Sequence, residues 1–277
     1  MSVLVLGENG QVAKELARLG AATAGRTKAD FATPDAVINL LEAVRPSAII
    51  NAAAYTAVDR AESEPDLAHQ INAVTPGAIA NWAATNDVPL VHLSTDYVFD
   101  GSGDQPRNPD ATTGPLNVYG KTKLAGEVAI QNAGCRHVIL RTSWVFSAHG
   151  NNFVKTMLRL SETRDRLTVV ADQIGGPTAA ADIAAATLAL TDPSNSGVYH
   201  FAGQPSVSWA EFAREIFAMS GRQVDVADIA SADYPTDAAR PLNSRLSGDS
   251  LQSEFGISQP DWRDSLRKVL IELGAVT

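Results

Sequence analysis

The run VLVLG, residues 3–7, limits the fold of this chain more than any other stretch. Four consecutive apolar residues, two of them β-branched, ending on a glycine, describe a short strand covered on both faces. Such strands belong to parallel sheets. Parallel neighbours need crossover connections, usually helices, and the next residues supply one. The turn GENGQVA leads into a helical pattern from about Gln11 to Leu19. The alternation then repeats. ATAG (22–25) reads as a weak second strand. Thr33-Pro34-Asp35 starts a helix that reaches Val44, with Thr33 as N-cap and Pro34 in the first helical position. AIINAAA (48–54), LVHLST (90–95) and HVILRT (137–142) are further strands, separated by a long helix over 65–85 and another beginning near 118.

Strands alternating with helices through right-handed crossovers predict the α/β class, as a doubly wound, parallel, Rossmann-like sheet. Beyond residue 146 the pattern loosens. Helices near 152–162, 180–191, 208–219 and 261–273, with strands at 167–171 and 197–202, suggest a smaller α/β lobe. The expected division is a dinucleotide-binding unit of 1–146 and 167–202, and a substrate-binding lobe of 147–166 and 203–277.

The formal charge of −9 argues against a nucleic-acid partner or an anionic membrane surface. It leaves room for a small anion, which a few arginines or a helix N-terminus can hold. Cys135 is the only cysteine, so no intrachain disulfide forms. The chain enters SVLVLG without the features of a signal peptide, and no apolar run approaches the ~20 residues of a membrane span. The expectation is a cytoplasmic protein.

Gly7, Gly10 and Ala13 recur at three-residue steps between the first strand and the first helix. A turn of this kind aims backbone N–H groups at a pyrophosphate, although two glycines after a strand also make an ordinary tight turn. In the first strand–helix unit the pattern predicts a bound dinucleotide. The residue that ends the second strand separates NAD from NADP, since an acid there grips the ribose 2′-hydroxyl. Here Arg26, Thr27 and Lys28 follow Gly25. The cations suit the 2′-phosphate of NADPH; the plainer reading is a solvated basic loop, and NAD stays open. Asp30 is placed to touch the adenine.

The stretch NVYGKTKLAGE (117–127) puts Tyr119 and Lys123 one turn apart on a helix, among small residues. It follows the strand that delivers LSTDYVFDG, and doubly wound sheets bind ligands at the carboxyl ends of their strands. A phenol beside an ammonium has its pKa drawn below the usual 10 or so, which makes it a better general acid. Thr95 offers a neutral hydroxyl to a substrate oxygen.

GENGQVAKEL, NAAAYTAVDRAESEPDLAHQINA, LSTDYVFDG, PLNVYGKTKLAGE, RTSWVF, NNFVKTMLRL, DQIGGPT and YPTDAARPLNSRL occur in this order over nearly the whole length. With them the chain resembles the extended short-chain dehydrogenase/reductases and, among these, the dTDP-4-dehydrorhamnose reductase family. The resemblance implies an NADPH-dependent reductase of a dTDP-4-keto sugar, with Thr95, Tyr119 and Lys123 as the catalytic set. It implies a cofactor site of Gly7, Gly10, Gln11, Val12, Asp30, Phe31, Ala54, Tyr55 and Thr56, joined by Tyr119, Lys123 and, from the charge argument, Arg26. Thr56, Val58, Thr95, Asp96, Tyr97, Tyr119 and Trp144 would face the sugar, and Arg240 the diphosphate. Trp144 reads equally well as core, and Arg240 as a surface ion pair.

Related nucleotide-sugar dehydratases carry a carboxylic acid after Thr-Asp; Tyr97 stands there, which favours simple reduction over elimination. Some relatives pair through magnesium held by acids of the first helix and of the segment after PT. Here Glu15 is present but PTAAAD offers only Asp182, so no metal is expected and the state is monomer or homodimer. Two other readings share the motifs: another 4-keto nucleotide-sugar reductase or epimerase, and a non-catalytic NADP-binding subunit resembling that of methionine adenosyltransferase.

Overall fold

The computed structural model describes residues 2–193 and 195–276. Its centre is a six-stranded, wholly parallel sheet. The first five strands in the chain are β1 (Val3–Leu6), β2 (Ala22–Ala24), β3 (Ala48–Asn51), β4 (Leu90–Thr95) and β5 (His137–Thr142), and Gly197–His200 adds the sixth beside β5. In space the order runs from Gly197–His200 through β5, β4, β3 and β1 to β2. The chain therefore leaves β1 for one edge and returns across it to β3, which makes the carboxyl ends of β1 and β3 the switch point where a ligand crevice opens.

Period-two alternation divides the strand residues between two cores. Leu4, Leu6, Ile49, Leu90 and Ile139 pack on one face with Val37 and Leu41 of the Pro34–Val44 helix and Ile79 of the Thr75–Asn86 helix. Val5, Ile50, Val91, Val138 and Leu140 face the other way, against Val12, Leu16 and Ile183. Both faces are covered, as the apolar runs predict.

The expected helix over 65–85 is interrupted. Pro65–His69 and Thr75–Asn86 are α-helical, but Gln70–Val74 between them forms a π-turn. Pro76 has no N–H to give the Asn72 carbonyl four residues back. That carbonyl instead lies so close to Gly126 that a Cβ there would come within 2.1 Å of it. The third strand is shorter than expected because Asn51 turns the chain: its Oδ1 accepts from Ala53 N at 3.1 Å. The helix Val58–Ser63, the strand Asp225–Ile229 and the helix Asp249–Phe255 have no counterpart in the sequence reading.

A third core lies outside the central sheet, with Phe146, Met157, Leu167, Val169, Phe212, Ile216, Trp262 and Leu270 at its centre. Arg166–Val170 pairs in parallel with Asp225–Ile229. That strand therefore stands outside the six-stranded sheet and packs Leu167 and Val169 into this core, whereas the expectation above grouped 167–202 with the dinucleotide-binding unit. The strands expected at 167–171 and 197–202 have similar lengths, and their partners, not their composition, decide which sheet each joins.

Candidate active site

The helix Val118–Ala133 begins at Asn117, whose Oδ1 accepts from Gly120 N at 2.8 Å and whose Nδ2 donates to the Ala239 carbonyl at 2.8 Å. One side chain thereby caps the helix and ties it to the smaller lobe. The small residues around Tyr119 and Lys123 have a steric cause. A Cβ on Gly120 would meet the Tyr97 carbonyl oxygen at 2.2 Å, and one on Gly126 would meet the Asn72 oxygen at 2.1 Å. The helix can lie against the end of β4 and against the π-turn only as glycine permits.

Three of the expected residues come together there. Thr95 ends β4, donates its hydroxyl to Asp96 Oδ1 at 3.0 Å and accepts from Tyr97 N at 3.2 Å. Tyr119 meets the Tyr97 ring edge to face, with centroids 5.6 Å apart. Lys123, only 1% exposed, donates from Nζ to the Leu93 carbonyl at 2.7 Å and lies 3.1 Å from His92 Nε2.

The electrostatics correct one expectation. The Tyr119 phenol is not lowered by its neighbour; burial pushes it up to about 12, with the Thr95 hydroxyl pulling the other way. Burial also pushes the Lys123 ammonium down to about 8, against the pull of Glu127. Removal from water disfavours both charged forms and is the largest cause for each. Asp96 is 2% exposed and its carboxyl rises to about 6 for the same reason, while Ser244 and Thr95 restrain it. Its Oδ2 has no hydrogen-bond partner. Burial likewise lifts the Tyr97 phenol above its ordinary range.

The first turn fits a dinucleotide. Gly7 has φ +127°, and even a Cβ there would stand 3.3 Å from the Ala52 carbonyl carbon, so the ends of β1 and β3 lie close. The helix Gln11–Arg18 starts at Gly10 with no side chain capping its first N–H groups, which leaves them for an anion. Val12 and Phe31 are buried in the two central cores. The Gln11 side chain is engaged elsewhere: its Oε1 accepts from Ser147 at 2.7 Å and from Asn152 at 3.0 Å. Only its backbone remains for a phosphate. Arg26 is 79% exposed, with Nε 3.5 Å from Asp30 Oδ1. Ala54, Tyr55 and Thr56 form the loop after β3, and Asn72 grips Tyr55 there by both its N–H (2.8 Å) and its carbonyl (3.1 Å).

A cavity of about 1040 Å³ opens between this site and the smaller lobe, lined by Asp59, Tyr97, Phe153, Arg164, Arg166, Trp209, Tyr234 and Arg240 among others. Of the residues expected at the sugar, Tyr97 and Arg240 line it. Arg240 donates to Asp59 Oδ2 at 2.7 Å, so it is an ion pair and a cavity wall at once. Thr56 is exposed and Val58 half-buried at the start of its short helix. Trp144 stacks on Trp209 with centroids 3.6 Å apart, and its φ is +48°. Trp209 lines the cavity, and Trp144 reaches it only through this stack. Sequence reasoning missed Asn51, His92, Asn72 and Trp209. A histidine inside the apolar strand LVHLST was the one local signal among them.

Glu15 faces Arg18 and His149, and Asp182 accepts from Ser265. Among the described residues no group of three or more His, Cys, Asp or Glu could hold a metal ion.

The family model described as RmlD substrate binding domain matches residues 1–274. A dTDP-4-dehydrorhamnose reductase of Sinorhizobium fredii is 46% identical over 98% of this chain and 97% of its own. The chain belongs to the dTDP-4-dehydrorhamnose reductase family. Solved structures agree. The Clostridium acetobutylicum dTDP-4-dehydrorhamnose reductase superposes with a TM-score of 0.95 at 36% identity, covering 99% of this chain and 100% of that one. The Bacillus anthracis dTDP-4-dehydrorhamnose reductase, solved in complex with NADP, gives 0.93 at 36% identity, covering 98% of each.

Proposed function

We propose that this chain reduces the C4 keto group of dTDP-4-dehydro-L-rhamnose with NADPH, giving dTDP-L-rhamnose. The observation that carries the reading is the meeting of Thr95, Tyr119 and Lys123 at the carboxyl end of β4, in a chain related to dTDP-4-dehydrorhamnose reductases along its full length. NADPH is the preferred cofactor and NADH an alternative. The free N–H groups after Gly10 and the backbone of Gln11 and Val12 would take the diphosphate. Arg26 would meet the 2′-phosphate, Asp30 and Phe31 the adenine, and the Ala54–Thr56 loop the far half of the cofactor. Bound there, NADPH supplies a hydride to C4.

Tyr119 hands its hydroxyl proton to O4, so that carbon and oxygen each gain one hydrogen. Its pKa of about 12 keeps that proton in place at neutral pH. Thr95 would orient O4 by turning its hydroxyl proton from Asp96 Oδ1 to that oxygen. Lys123 would hold a nicotinamide ribose hydroxyl and steady the charge that develops on the Tyr119 oxygen. Asp96, Tyr97, Thr56, Val58 and Trp144 shape the sugar site, and Arg240 offers the diphosphate a cation at the cavity wall. Tyr97 cannot serve as the base that elimination requires. We place this reaction in the cytoplasm, carried out by a monomer or homodimer.

The test is NADPH consumption with a panel of nucleotide 4-keto sugars. Turnover confined to the dTDP-4-dehydro-L-rhamnose arm supports the assignment. Turnover only with another sugar moves it to a different 4-keto reductase or epimerase. Tight NADPH binding with no turnover on any sugar leaves a non-catalytic subunit.

A further inference from the structure

Beneath Lys123 lies a row of buried polar groups that the reaction just described does not use. Asn51 on β3 and His92 on β4 are register partners in the central sheet, and Lys123 comes down on them from the Val118–Ala133 helix. All three are buried: Asn51 and Lys123 are 1% exposed and His92 not at all.

Counting hydrogens shows which states these contacts favour. Asn51 Oδ1 accepts from Ala53 N, which sets the amide so that Nδ2 faces His92 Nδ1 at 2.9 Å. An amide NH₂ can only donate. His92 Nδ1 must therefore carry a lone pair, and the proton of the neutral ring sits on Nε2. That N–H points at Lys123 Nζ, 3.1 Å away. An ammonium has three donors and no acceptor, so it would set donor against donor. A neutral amine would accept from Nε2–H and still donate to the Leu93 carbonyl.

We propose that His92, locked by Asn51 as the Nε2–H tautomer, is a positioning residue that sets the charge of Lys123 by favouring its neutral amine. The proposal rests on the reading above only in giving Lys123 a role at the reacting centre. The other charged groups nearby are Glu127, one turn further along the same helix, and Arg141 of β5. These two form a buried ion pair at 2.6 Å, and Ser94 of β4 also donates to Glu127. Tyr119 is a neutral phenol, and Asp96 lies beyond Thr95 at the end of β4. Burial acts in the same direction as His92 by lowering the ammonium to about 8. The imidazole itself stays uncharged, pushed well below its ordinary range by burial and then by the Lys123 charge. The consequence is an alkaline limit on the cation beside Tyr119 that an ordinary lysine would not impose.

Two measurements on the full chain test this. In ¹⁵N-histidine-labelled wild type, the five histidines are resolved and His92 is assigned by its loss in His92→Gln. We expect a bare Nδ1 and a protonated Nε2 from neutral to alkaline pH. An Nδ1–H tautomer overturns the proposal without any appeal to a variant. In ¹³C-lysine-labelled protein, Lys123 is assigned by its loss in Lys123→Met. Its titration midpoint is expected to rise by about one pH unit, a tenfold change in the proton equilibrium, in both His92→Phe and His92→Gln. Phenylalanine removes the donor, and glutamine can turn its carbonyl toward the ammonium. An unchanged or lower midpoint in whichever variant folds overturns the proposal, because His92 then accepts from the ammonium or has no influence. Both measurements are made without cofactor or sugar. The expected shifts in a protein with no reductase activity would therefore sink the proposed function and leave this inference standing.

Discussion

Replacing Tyr119 by phenylalanine removes one oxygen and tests the proposed chemistry most directly. The ring keeps its edge-to-face contact with Tyr97 at 5.6 Å, and the hydroxyl's side-chain partner is Thr95. The stability at stake is then that of one hydrogen bond, about 0.5–1.5 kcal/mol. If the phenol is the general acid, turnover falls by about 10²- to 10⁴-fold. That is roughly 2.7–5.4 kcal/mol of barrier. A helix-surface Tyr–Lys pair would be worth only about 0.2–0.5 kcal/mol, so the two roles predict effects of different order. The assay combines single-turnover NADPH oxidation with a thermal melt and NADPH affinity measured by fluorescence. The expected result is an intact fold, near-normal affinity and the large loss of rate. Near-normal turnover in Tyr119→Phe would remove the proton donor from the mechanism and refute the reasoning.

Gly126→Ala should destabilise the fold by about 1–3 kcal/mol, the usual cost of overpacking, because its Cβ would come within 2.1 Å of the Asn72 oxygen. A denaturant melt measures this, and a loss of NADPH affinity should accompany it as Asn72 loosens its hold on Tyr55. Asp96 has a folded pKa of about 6, raised from the ordinary 3.8, so between these values the folded state binds the extra proton. The stability due to this group is present below about pH 4 and lost as pH rises through 6. Asp96→Asn should flatten that slope and, at pH 7, be more stable than wild type by about 1–3 kcal/mol; melts across pH 4–7 decide it. Arg26→Ala should weaken NADPH roughly tenfold or more while sparing NADH, since one hydrogen bond to a charged group is worth about 1.5–3 kcal/mol. Equal losses in a titration of both cofactors would show that Arg26 does not meet the 2′-phosphate.

Much of this protein was legible in one dimension because its constraints are local. β4 and β5 occupy the residues that their short apolar stretches mark, 90–95 and 137–142, since a strand buried on both faces favours such stretches. The Tyr119–Lys123 spacing, the Pro34 helix start and the Gly7 turn are likewise read within a few residues of chain. Contacts between distant segments carry no such mark. The partner of Arg166–Val170, the Trp144–Trp209 stack and the Asp59–Arg240 pair join residues far apart in sequence, and many pairings would satisfy the same side chains. Charge states belong with them. From spacing alone, Lys123 should lower the Tyr119 phenol, yet the fold buries both and moves each toward its neutral form. Local pattern thus gave the central strands, the main helices and the groups they bring to the end of β4. How much water those groups keep, and what stands behind them as His92 stands behind Lys123, came from the packed fold, because desolvation and hydrogen-bond direction depend on the whole surrounding shell and not on neighbours in the chain.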